Sequence, residues 1–399
     1  MTNHAIGPSE LFESLRGVGR RHGRLIGVFA LGATLGCGAP VDGSEQQLTS
    51  RSGALQDPHD PTNPIMPLAA SQWSTMDSTG YPSGDPILLA EASHLLVAFQ
   101  LSGLNGYWGA AGDGPTSAAW GLYSDDAFST PPATARLPVV GSSDYRLIVV
   151  GRGRDDHRIF WSEASTRPTQ GIFSAPEPVT APAFAPINGN TFNDPYGYPA
   201  MTAANNGDVV MVYMGPNSSN KATLYSHRKP YHSAWKARVA APALPSGWSM
   251  VGVPAITWGY QSQGTVVLKA TNGSQTGLFR IFTTGDAFLP AGAPAFTQLT
   301  LPTGSAPAES NPAVEWDPDL NTHTLYYRSG GSLYEASFLT STFYEAPKLL
   351  QASTNPYFVG TPSVAGGTNL ENTEHWILAR DNHANLRFNF TYLDSDLQP

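Results

Sequence analysis

"HTLYYRSGGSLYEASF", residues 323–338, reads as two β-strands joined by a tight turn. β-branched and aromatic residues on either side of a glycine pair are the signature of a hairpin. The first strand ends on Arg328 and the second carries Glu335. That opposite-charged pair is either a ligand grip or a link between strands in a scaffold, since charges facing each other in a sheet are common.

Working outward, the same unit recurs along the chain. A proline followed by a small or apolar residue opens a short strand at Pro86, Pro138, Pro199, Pro254, Pro312 and Pro362. An apolar run follows each one: "LLVAF", "LIVV", "VVMVY", "TVVL", "TLYY" and "HWILA". A second run comes next: "AWGLY", "RIFW", "ATLYS", "GLFRI", "SLYEA" and "NLRFN". A third, weaker segment often starts at an aromatic, as in "WKARV" and "FYEAPKLL". Four short strands in a unit of roughly 50 residues is the pattern of a β-propeller blade. The expected fold is therefore all-β, a propeller of six blades. A seventh blade follows if the Gly-rich stretch 103–135 holds a further hairpin. The last repeat stops after its third strand, while "MPLAASQWSTM" (66–76) precedes the first and has no partner. This segment is expected to supply the missing fourth strand and close the ring, leaving no bare edge.

Bulk composition agrees. The 399 residues include 40 Gly and 34 Pro, with 13% charged and 11% aromatic residues. Such a chain favours short strands and turns over long helices. A net charge of −9 and the lack of a basic stripe exclude a nucleic-acid surface. Cys37 is the only cysteine, so neither an intrachain disulfide nor a Cys-based zinc site can form. Stability has to come from core burial.

The N-terminus reads as an address. Arg16, Arg20, Arg21 and Arg24 precede the apolar "LIGVFALGATLG" (25–36), which is too short to span a bilayer but right for a signal-peptide core. It ends in "TLGCGAP" and resembles a bacterial lipoprotein signal. The resemblance implies that residues 1–37 are a signal with Cys37 as the lipidated residue. Thr34 stands where that family usually has Leu. Gly38 after the cysteine is compatible with outer-membrane sorting; a cleaved signal, giving a secreted or periplasmic protein, is the alternative. Residues 38–65 read as a flexible tether, and 66–399 as the propeller domain.

The repeats resemble the six-bladed fucose-binding lectins, in which Arg and Glu grip sugar hydroxyls and a ring stacks on the sugar face. Repeat five supplies Tyr327, Arg328 and Glu335. Repeat two, "IVVGRGRDDHRIFWSEAS", supplies Arg154, Trp161 and Glu163 and is also similar to strands of related seven-bladed lectins. Arg, carboxylate and aromatic groups together suit sugars. A hairpin ion pair worth about 0.2–1 kcal/mol explains the charges equally simply.

Three acids lie near strand starts: Asp85 before Pro86, Asp194 in "FNDPYGYPAM", and Glu315 in "NPAVEWDP". Their order is similar to that of the five-bladed arabinan- and xylan-cleaving enzymes, and paired carboxylates at a channel mouth would imply glycoside hydrolysis. Turn chemistry accounts for each acid as well. "DPDLNTH" (317–323) has alternating oxygen ligands but lacks the glycine and closing glutamate of a calcium loop, so it reads as a turn. The leading expectation is a non-catalytic, membrane-tethered propeller that binds a glycan between blades. The alternatives are a glycoside hydrolase and a protein-binding envelope scaffold. No cofactor or metal is expected.

Overall fold

The structure, a computed structural model, describes the strands between residues 74 and 166, the pair 185–186, and residues 197–392 except 205, 232, 292–294, 318–320, 340, 345, 354–356, 370 and 371. β1 is Ser74–Thr75. The first blade holds β2 (Ile87–Glu91), β3 (His94–Gln100), β4 (Gly106–Gly112) and β5 (Ala119–Asp125). The second holds β6 (Ala133–Pro138), β7 (Tyr145–Arg152), β8 (Ile159–Thr166) and β9 (Ala185–Pro186). The third holds β10 (Ala200–Ala203), β11 (Val209–Pro216), β12 (Ala222–Lys229) and β13 (Val239–Ala240). The fourth holds β14 (Ser249–Trp258), β15 (Gly264–Thr271) and β16 (Thr276–Thr283), with its outer strand split into β17 (Phe288–Leu289) and β18 (Thr297–Leu299). The fifth holds β19 (Ala313–Asp317), β20 (Thr322–Ser329), β21 (Ser332–Phe338) and β22 (Lys348–Gln351). The sixth holds β23 (Phe358–Asn369), β24 (Asn372–Asp381) and β25 (Leu386–Tyr392).

Each sheet pairs its strands in chain order, which is the meander of a propeller blade. The first strands touch one another in sequence, β2 to β6, β10, β14, β19 and β23, and β23 returns to β2. They therefore surround a common axis. β1 pairs antiparallel with β25, Ser74 opposite Phe388 and Thr75 opposite Arg387. The segment before the first repeat thus completes the last blade, as the sequence led us to expect.

Two details differ from the sequence reading. The described residues of 103–135 supply β4 and β5 of the first blade and the start of β6 in place of an extra hairpin. "AWGLY" is the fourth strand there, and the third is the Gly- and Ala-rich "GYWGAAG", whose weak strand propensity hid it. Pro138 ends β6 and does not open it.

The second strand of each fully described blade is buried on both faces. In β11, Val209, Met211 and Tyr213 pack against the second blade, and Val210, Val212 and Met214 against the fourth. β20 divides the same way: Leu325 and Tyr327 face the fourth blade, and Tyr326 the sixth. Two-sided burial is why these strands read as unbroken apolar runs. Each such side chain contributes about 1.5–3 kcal/mol.

Proline positions follow from the missing N–H. Pro254 and Pro362 fall inside irregularities of β14 (between Val251 and Ala255) and β23 (between Val359 and Ser363). The ladder is interrupted there, so no donor is missed.

Candidate functional site

One mouth of the channel lies where the first strands begin. A short element precedes or enters those of the third to sixth blades: Gly197-Tyr198-Pro199, Gly252-Val253-Pro254, Ser310-Asn311-Pro312 and Gly360-Thr361-Pro362. The three glycines have φ of 88°, 78° and 73°, a left-handed backbone that favours glycine. They also make room. A Cβ on Gly197 would lie 2.8 Å from Val253 Cγ2, and one on Gly252 would collide with Asn311 Oδ1. The middle residue of the fourth blade therefore lies over the glycine of the third, and that of the fifth over the glycine of the fourth, and these overlaps form a collar along the described part of the mouth.

Asn311 ties the collar together. Its Oδ1 accepts from Val253 N (3.0 Å), and its Nδ2 donates to Thr361 Oγ1 (3.1 Å). One side chain on the fifth blade thereby bridges the fourth and sixth. Ser310 Oγ accepts from Arg328 N (2.9 Å) and donates to Asn311 O (2.7 Å).

Arg328 stands just outside this collar. Its Nε donates to Gly360 O (3.1 Å), its Nη1 donates to Gly330 O, and Nη1 lies 3.5 Å from Glu309 Oε2. Glu309 also accepts from Gly330 N (2.7 Å), and its backbone oxygen accepts from Lys269 Nζ (2.6 Å). Burial and then the Arg328 charge lower the Lys269 pKa, with Glu309 opposing. The rim is thus a charged, hydrogen-bonded arc spanning three blades, with half of the Glu309 side chain still open to solvent.

The expected sugar grip is not assembled as the sequence suggested. The two-residue turn sets Arg328 opposite Leu333 and Glu335 opposite Tyr326. Arg328 finds its carboxylate in Glu309, while Glu335 is buried opposite Lys348 of β22. Tyr327 points to the other face of the strand, because side chains alternate. It is fully buried, stacks on Tyr334 (centroids 5.5 Å) and donates to Ala306 O (3.2 Å). In the second blade, Trp161 is half-buried, with the edge of Trp235 at 6.2 Å and Lys229 Nζ 5.2 Å from its ring centre. Glu163 pairs with Ile148 in the β7–β8 ladder; its side chain, like Arg154, lies outside the described residues.

Glu315 sits on β19 opposite Thr324, half-buried, on a strand that flanks the channel. Asp85, Asp194 and Cys37 lie outside the described residues. The collar residues Ser310, Asn311 and Thr361 escaped the sequence reading. The repeated small-x-Pro spelling was the signal that could have found them, because it recurs in register with the blades. Among the described residues no group of three His, Cys, Asp or Glu side chains could hold a metal ion.

No protein-family model matches the chain, and no curated protein matches it. Solved structures do. The GH93 α-L-arabinofuranosidase of Fusarium graminearum, seen with arabinobiose, superposes with a TM-score of 0.55 at 10% identity, covering 83% of this chain and 98% of that one. The α-L-arabinanase of Penicillium chrysogenum, complexed with arabinobiose, gives 0.52 at 11% identity, covering 84% and 99%. A protein of unknown function from Dyadobacter fermentans gives 0.53 at 12% identity, covering 80% and 96%. The likeness is one of fold.

Proposed function

We propose that this chain is a glycoside hydrolase of the propeller type, taking an oligosaccharide at the mouth where the first strands begin. The observation that carries the reading is the collar, which brings polar groups from successive blades, Ser310, Asn311 and Thr361, to one rim beside Glu309 and Arg328. Sugars are held by converging donors and acceptors of this kind. Two fold neighbours bind arabinobiose, which supports arabinose-based glycans as the substrate class. In the sequence, Asp85 occupies the middle position of Gly84-Asp85-Pro86, the place Asn311 holds in the fifth repeat, and Asp194 precedes Gly197 by three residues. With Glu315 they are the proposed acid, base or nucleophile. The lectin reading loses support in the fifth blade, where Tyr327, Arg328 and Glu335 do not converge on one open surface.

The test is hydrolysis of a panel of arabinofuranosides and arabinans by purified protein and by Asp85→Asn, Asp194→Asn and Glu315→Gln. Activity should fall about 10²–10⁴-fold in at least two variants. Glycan binding with no turnover, unchanged in all three, would return the protein to a non-catalytic role. The same proposal places the domain outside the cytoplasm, tethered through Cys37. Cys37→Ser should then shift the protein from the detergent phase to the aqueous phase.

A further inference from the structure

Arg280 lies in β16 between Val267 of β15 and Thr297 of β18. It shares its face with Leu278, which packs against the fifth blade. Only 7% of the residue is exposed. Its Nε and Nη1 are buried without a hydrogen-bond partner, and among the described residues it forms no ion pair. The guanidinium instead lies over the Phe282 ring, 4.2 Å from its centre. Burying a charge without a partner is costly, and arginine cannot shed its proton to escape the cost.

The surroundings are aromatic. Tyr260 stacks on Phe282 at 5.5 Å and meets Trp316 at 5.8 Å and His323 at 5.9 Å. Trp316 lies so close to Gly259 that no side chain would fit there. His323 bonds Thr265 Oγ1 at 2.8 Å. Burial, and then the Arg280 charge, push the His323 pKa down to about 3, so its ring is neutral. The site therefore carries one positive charge, two bare donors and aromatic walls.

We propose that this off-axis site between the fourth and fifth blades binds a carboxylate-bearing ligand, with Arg280 as its donor. A carboxylate in the plane of the guanidinium would satisfy the bare N–H groups and leave Phe282 stacked beneath. The proposal is independent of the hydrolase reading, because it uses neither the rim nor the acids assigned there. The ligand is either a small free carboxylate or the uronic acid unit of a glycan.

The test uses the full chain at constant ionic strength, with chloride as reference and acetate, glucuronate and sulfate as probes. Thermal unfolding and tryptophan fluorescence are followed together, since Trp316 belongs to the same aromatic group. A saturable rise in Tm of several degrees with a carboxylate is expected. A response to glucuronate alone identifies the glycan source; a response to both carboxylates identifies a small free acid. Arg280→Met should unfold no earlier than wild type without added anion and should lose the response. Arg280→Lys, which keeps the charge without the planar fork, should weaken it. The proposal is overturned if no carboxylate acts beyond chloride, if sulfate alone acts, or if either variant keeps the full response.

Discussion

Arg328 and Arg280 sit on neighbouring blades, Arg328 reaching the sixth blade across one side of the fifth and Arg280 lying against the other side, and the protein treats them in opposite ways. Arg328, at the rim, has a backbone oxygen from the sixth blade, one from its own turn and a glutamate within ion-pair reach. Arg280, deeper between the blades, lies over an aromatic ring and has no hydrogen-bond acceptor for Nε or Nη1 and no ion-pair partner among the described residues. The rim is therefore cross-tied over three blades, with half of the Glu309 side chain still open to a ligand. The deeper position is an incomplete one, and incompleteness at a buried charge points to something that arrives later.

The comparison can be broken most severely at Gly252. Gly252→Ala forces a side chain into left-handed backbone, at about 1–2 kcal/mol, and drives it into the Asn311 oxygen, adding about 1–3 kcal/mol for the displaced bond. Denaturant unfolding should show the sum; a loss under about 1 kcal/mol would mean the collar is slack.

Asn311→Ala should come next. It orphans Val253 N and Thr361 Oγ1 and should cost about 1–3 kcal/mol. It leaves the backbone intact, so a cost equal to that of Gly252→Ala would assign the whole effect to the cross-tie.

The smallest effect comes from the buried histidines. Burial holds the His323 pKa at about 3 and that of His227 at about 4, against an unfolded value near 6.5. Below that value the unfolded chain takes up protons that the folded one refuses. Stability is thus full well above pH 6.5 and falls as pH falls, by about 1.4 kcal/mol for each histidine at pH 5.5. Denaturation curves between pH 7.5 and 5 should show this slope, reduced in His323→Gln. A flat profile would mean these rings reach solvent and that the interface around Arg280 is wetter than its geometry implies.

Much of the architecture was legible because burial leaves a spelling. Strands packed on both faces, such as "VVMVY", cannot afford polar residues, and their recurrence counted the blades. Closure was legible from a surplus strand at one end and a missing one at the other. What misled was local. "GYWGAAG" carries too few large residues to announce a strand. Pro138 looked like its counterparts because proline marks both the start and the end of pairing. The partner of Arg328 was misread, although the Gly330–Gly331 turn already fixes 328 against 333 in a two-residue hairpin. Arg280 was invisible for a different reason: nothing in "GLFRIF" says that, among the described residues, no acid from the next blade meets it. That fact lies in the packing of two segments far apart in the chain.

The seam at β1 has a mechanical meaning. Among the described residues, Ser74 and Thr75 latch the N-terminal side to β25, whereas the other blades are stitched by continuous chain. Were the N-terminus anchored as proposed, a pull on it would reach this clasp before it reached the core. The ring would yield there first, as a fuse, and could snap shut again with the remaining blades undisturbed.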